Sequence, residues 1–247
     1  RVPPGQALTN LEQAQDLAYD AWEAGGKRGI KLARRALELS PDCADAYHYL
    51  AQHEPFEEKR LELLRQAVAA GQRALNPNDL KKPEGGLWTD VFNRPYLRAR
   101  AALADALWEA GLREEAVSHW KELLRLTPGD NQGIRYRLLA AFLERDEREE
   151  LDDLLRRYEE DIMAVWAYGR AIHLFRKEGD SPAAREARRK ARQTNPLVMK
   201  YLLGKAPLPD EVAEYVEPGS DDEAAACAVA LGPILERIPG AAEWLAR

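Results

Sequence analysis

Two cysteines, two methionines and four histidines in 247 residues leave little material for redox or metal chemistry. Cys43 and Cys227 stand far apart, with no CxxC pair and no histidine cluster beside either. This spacing argues against a disulfide framework or zinc site and implies two reduced thiols in a reducing, cytoplasmic setting. His48 and His53 are five residues apart, which misaligns them on a helix, and His119 and His173 have no partner at metal-binding spacing. No GxSxG, GxxxxGK[ST] or GxGxxG occurs, so no nucleophile elbow or phosphate cradle is visible. Apolar runs stay well short of the roughly 18 residues that would span a membrane. A net charge of −6 argues against general nucleic-acid binding. The first ten residues, RVPPGQALTN, contain neither an initiator methionine nor an apolar signal core. They look like a truncated or processed start, which leaves room for a preceding domain.

What the chain does contain is helical periodicity. In YLRARAALADALWEAGLREEAVSHWKELLRLTP, residues 96–128, Leu103, Ala104 and Leu107 share one helical face. Gly111 supplies a left-handed turn, after which Ala116, Val117, Trp120, Leu123 and Leu124 point inward, and Pro128 stops the run. A first hairpin pairs LEQAQDLAYDAWEA, capped by Thr9 or Asn10, with KRGIKLARRALEL, whose apolar stripe is Ile30, Ala33, Ala36 and Leu37. The second hairpin opens at ADAYHYLAQ and closes at LRQAVAAGQRALNP. A fourth carries Leu138, Leu139, Phe142 and Leu143, then Leu151, Leu154, Leu155 and Tyr158. The fifth runs from Ala164 through Gly179 and a Ser181–Pro182 cap to Ala184, Ala187 and Ala191. Closing prolines 41 and 77 lie 36 residues apart, and 128 and 196 lie 68 apart. Both intervals fit a repeat of about 34 residues.

Between Pro77 and Pro128 the interval is 51, a surplus of 17 residues over one repeat. It falls in NDLKKPEGGLWTDVFNRP, at about 78–95, a turn-rich insertion holding Trp88 and Phe92. Structureless loops of this length are uncommon and often functional, and the aromatics imply that it folds back over neighbouring helices. After Pro196 the rhythm breaks. Ser220 with Glu223 predicts a capping box for a helix kinked or ended at Gly232–Pro233, and a short last helix follows Gly240. Residues 1–196 are therefore expected to form about five hairpins and 197–247 a C-terminal cap in the same structural unit.

The Leu-Ala pair, turn glycine, small residue early in the second helix and closing proline resemble the tetratricopeptide repeat. The pattern is similar to stand-alone bacterial proteins of this type. GLWTDVFNRPYLRARAALADALWEAG, DNQGIRY and YLLGKAPLP resemble the group related to the suppressor-of-tumorigenicity family. The resemblance implies an all-α, right-handed α-α superhelix, a TPR-like solenoid with a helical C-terminal cap. It further implies a non-catalytic scaffold that holds a peptide in a concave groove lined by the first helix of each hairpin, with no cofactor and no active site.

Projecting the groove on this chain gives Tyr47 and His48 in the second hairpin, Arg98 and Asp105 in the third, Gln132, Arg135 and Tyr136 in the fourth, and Trp166, Arg170 and His173 in the fifth. Cationic and aromatic side chains are enriched where binding energy concentrates, and an arginine pair can hold a carboxylate. The expected ligand is thus an acidic or C-terminal-carboxylate peptide. A second reading has Arg98, Arg135 and Arg170 paired with acids of adjacent hairpins and Trp166 packed between helices. A chaperone-type carboxylate clamp is not implied, because Asn131 precedes its helix and no matching Lys is present. The basic AAREARRKARQ and acidic ERDEREELDDLLRRYEED stretches are expected to neutralise each other. The alternatives are a nucleic-acid-associated or regulatory protein working through that basic stretch, and an accessory module of an enzyme whose N-terminal domain lies outside the sequence.

Overall fold

The computed structural model describes residues 8–80, 86–213 and 215–247, and all regular structure among them is helical. The chain divides into two compact units, Arg1–Ile134 and Arg135–Arg247. Part of the predicted insertion, 81–85, lies outside the described residues.

The first unit contains three hairpins: α1 (Asn10–Ala24) with α2 (Gly26–Leu39), α3 (Ala44–Gln52) with α4 (Glu57–Ala74), and α5 (Arg94–Glu109) with α6 (Arg113–Leu126). Thr9 caps α1 through a complete capping box with Glu12, satisfying otherwise orphaned amide groups. Gly111 adopts the predicted left-handed turn at φ 79°. The leading helices α1, α3 and α5 pack side by side, and each also packs on its own second helix. Alanines make this close approach possible: Ala14, Ala18, Ala33, Ala36 and Ala46 are fully buried. The tightest point is Gly29, where an added Cβ would sit 2.1 Å from the Tyr49 hydroxyl and 2.5 Å from the Ala21 carbonyl oxygen. The predicted faces of α5 and α6 are buried, with Leu103, Leu107, Trp120 and Leu123 each at most 3% exposed.

The second unit contains α7 (Ile134–Arg145, its first residue closing the first unit), α8 (Arg148–Arg157), α9 (Ala164–Glu178), α10 (Pro182–Thr194), α11 (Val198–Leu202), α12 (Asp221–Leu235) and α13 (Ala241–Ala246). Residues beyond 196 pack on the fifth hairpin, with α12 and α13 both against α9. The two compact units meet in sequence at 134/135, and the residues beyond 196 belong to the second unit. Pro233 lies inside α12, which continues to Leu235.

The expected capping box at α12 is only half formed. Ser220 Oγ accepts the Glu223 amide at 3.1 Å, but Ser220 N–H donates to the Glu217 carbonyl instead. The Glu223 carboxylate, on a residue 2% exposed, accepts from Ala164 N (2.8 Å), Asn195 Nδ2 (2.9 Å) and Gly219 N (2.7 Å). It ties the C-terminal segment to both helices of the fifth hairpin.

Candidate functional site

In the first unit a single buried carboxylate joins the three leading helices. Asp45 of α3 is 1% exposed; it accepts from Gln15 Nε2 of α1 at 2.7 Å and from Arg98 Nε of α5 at 3.2 Å, with Arg98 Nη2 as a second donor. Burial alone would lower the Arg98 guanidinium pKa. Asp45, aided by Tyr19, outweighs that cost and holds it above the usual arginine value. Arg98, expected to meet a ligand, is thus committed to an acid of the preceding hairpin.

Beside this junction lies a cavity of about 490 Å³. Leu11, Gln15, Asp16 and Tyr19 of α1 form one wall, and Ala44, Gly71 and Ala74 form its back. Val91, Phe92 and Pro95 of the insertion and Tyr96 of α5 complete the lining. Here a short 3-10 turn, Val91–Asn93, is capped by Asp90 through the Phe92 amide at 3.0 Å. The turn leads directly into α5, with Pro95 in the first turn where its missing amide costs nothing. Arg94 fixes the preceding loop, donating to the Trp88 carbonyl at 3.1 Å with its guanidinium 4.9 Å from the indole centroid. Leu8 (39%), Tyr19 (46%), Val91 (53%) and Phe92 (62%) remain exposed around the pocket. So many large apolar side chains clustered at one concavity are unusual for a free surface.

The remaining expected residues of the first unit lie apart from this pocket. His48 and Asp105 line a shallower depression of about 420 Å³ together with Gln52, Arg60 and Glu109. Asp105 also accepts the Trp120 indole N–H at 3.1 Å. Burial lowers the His48 pKa against the raising effect of Asp45. Tyr47 packs on the Ala44–Ala67–Ala99 cluster, and Gln132 Nε2 donates weakly to the Leu97 carbonyl at 3.4 Å.

In the second unit, Arg135 and Tyr136 converge on Asp161, at 2.5 Å and 2.9 Å respectively. Trp166 meets Tyr136 and Tyr158 edge-on and is 2% exposed; His173 is also 2% exposed and shares a 2.7 Å hydrogen bond with Asp152. Neither presents a surface to a ligand, which corrects the expectation for both. Their helix α9 is covered by α10 on one side and by α12 and α13 on another. Arg170 is exposed, with no ion pair among the described residues. Where α8 and α10 were expected to neutralise each other, Asp152 and Arg189 pair elsewhere. Asp152 of α8 pairs with Lys177 of α9, whereas in α10 Arg189 pairs with Glu186 and Arg188 lies over Trp244.

Sequence reasoning located the insertion and Phe92 but not the pocket wall on α1. The signal there was Tyr19, a large aromatic off the buried Ala14–Ala18–Ala21 stripe. Both cysteines are buried free thiols, and burial pushes Cys43 up to about 11. No cluster of three metal-ligating side chains occurs among the described residues, and no described helix is long and apolar enough to cross a membrane.

No protein-family model matches the chain. Its sequence is similar to the ST7 homolog of Drosophila pseudoobscura, at 26% identity over 80% of this chain and 41% of that protein. It is also similar to the suppressor of tumorigenicity 7 protein-like of Bos taurus (28%, covering 78% and 39%) and of Gallus gallus (28%, covering 95% and 46%). The chain spans less than half the length of these relatives. Among solved structures it resembles YrrB, described as a TPR protein with an unusual peptide-binding site, with a TM-score of 0.51 at 16% identity over 76% of this chain and 86% of YrrB. That likeness establishes the fold, an all-α array of helical hairpins of the tetratricopeptide type.

Proposed function

We propose that the chain is a non-catalytic protein-interaction module that holds a segment of a partner polypeptide against the leading helices of its first unit. One observation carries this reading: the pocket beside α1 and α5, rimmed by Tyr19, Val91 and Phe92, has an apolar wall that no described residue covers. An extended or helical segment seats side chains in such a concavity at little reorganisation cost, because the wall is built on packed helices. The peptide-binding description of YrrB agrees with the reading at the level of fold. The reading places the contact at the insertion, away from Trp166 and His173. It also departs from an acidic ligand held by arginines, since Arg98 and Arg135 already face Asp45 and Asp161.

A runner-up through the basic α10 is weakened by the local pairing of Arg189 with Glu186 and of Arg185 with Asp180. The test is site-specific photo-crosslinking in living cells, with a benzophenone analogue replacing Phe92 or, as control, the exposed Leu112. A discrete polypeptide adduct at position 92 and none at 112 supports the reading. Equal smears at both positions, or nucleic acid as the adduct, would overturn it.

A further inference from the structure

The same pocket carries a selective charge pattern. Three carboxylate side chains line it, from Glu12, Asp16 and Asp42, and no Lys, Arg or His does so among the described residues. Glu12 Oε2 is engaged by the Thr9 backbone and hydroxyl at 2.7 and 2.8 Å. Asp42 pairs with Arg73 at 2.7 Å. Asp16 is exposed and has no hydrogen bond or ion pair among the described residues. The nearby cations are each engaged by protein groups: Arg98 by Asp45 and Tyr19, Arg73 by Asp42, and Arg94 by the Trp88 ring. Carboxylates at the edge of an apolar concavity act through a medium less screening than bulk water, so their sign is felt by whatever enters.

We infer that the pocket selects a partner segment with an aliphatic or aromatic side chain as anchor and Lys or Arg within one helical turn of it. This rests on the docking reading above and fixes its ligand chemistry. The anchor fills the space between Leu11, Ala44, Ala74 and Tyr96, and the flanking cation meets Asp16. The exposed rings of Tyr19 and Phe92 offer a second attraction to that cation, since a ring face draws positive charge. An acidic segment meets the like charge of Asp16 with no Lys, Arg or His among the described lining residues, and phosphate-rich ligands such as nucleic acid or anionic lipid headgroups are repelled for the same reason. The charge at the rim sets which partner is accepted, and the apolar anchor supplies most of the affinity.

The test selects phage-displayed random dodecamer peptides on the full chain and sequences the pool. The expected pool is enriched in Leu, Ile, Phe or Trp with Lys or Arg within four positions. The best such peptide is expected to bind Asp16→Lys about tenfold more weakly and Phe92→Ala more weakly still. Both positions are solvent-facing, and unchanged thermal melts verify that both variants fold. A pool neutral or acidic around its anchor, or equal binding to Asp16→Lys, would overturn the charge rule while leaving the docking reading standing. No enrichment over the unselected library, with wild type and Phe92→Ala indistinguishable, would remove both.

Discussion

Replacing Arg98 by methionine removes the cation facing Asp45, and the cost follows from the two partners' unequal burial. The Asp45 side chain is 2% exposed and that of Arg98 34%. Arg98→Met therefore strands a carboxylate in the interior with Gln15 as its remaining side-chain donor. Breaking a buried pair in this way costs about 3–5 kcal/mol; the solvent already reaching Arg98 places the expectation near the lower end, about 3 kcal/mol. Asp45→Asn leaves a guanidinium one-third exposed that water can solvate, so it costs less, about 1–2 kcal/mol. The double variant should lose less than the sum, giving a coupling energy of about 1.5–3 kcal/mol. Urea denaturation of the four proteins at neutral pH measures all three quantities. Equal costs for the two single variants, or no coupling, would refute the assignment of Arg98 to a structural role.

Gly29→Ala places a Cβ 2.5 Å from a backbone oxygen that cannot move aside, and is expected to cost at least about 2 kcal/mol by urea denaturation. Glu223→Ala leaves the Ala164 and Gly219 amides without this acceptor and the Asn195 Nδ2 group with the Ser220 carbonyl alone. It should cost about 3 kcal/mol and open the segment after 196 to limited proteolysis well before the first unit. Burial lowers the pKa of both His48 and His119, with Arg98 assisting at the first and Arg100 at the second. The unfolded chain thus binds these protons more readily than the folded one, and stability falls as pH drops below about 6.5. A His48→Gln/His119→Gln variant should lose part of that fall between pH 7.5 and 5.5 in thermal melts, a window above the range where carboxylates with lowered pKa titrate.

Much of the fold was legible because helix faces and turns are local properties. The Leu103–Ala104–Leu107 stripe, the turn at Gly111 and the Ser181 cap each follow from residues a few positions apart. The site was less legible because its chemistry is nonlocal. Arg98 reads as a groove cation until Asp45, 53 positions earlier, is brought against it. Trp166 and His173 fall on the expected helix, but periodicity cannot reveal that segments from the C-terminal 50 residues cover its other face. Glu223 matched a capping-box spacing, yet its carboxylate serves a partner 59 positions away. The insertion announced itself by length and aromatics, and its Phe92 lines the pocket; the opposite wall, on α1, carried only Tyr19 as a signal.

The wall between α1 and the insertion, left open by the described residues, is proposed as a polypeptide docking site. The most direct measurement is an NMR titration of the full chain, labelled at methyl and aromatic groups, with the best peptide selected on it. The account predicts saturable shifts at Leu11, Tyr19, Ala44, Val91, Phe92 and Tyr96, which surround the pocket. Shifts confined to the second unit, or to Val117, Ser118 and Lys121 on α6, would contradict it.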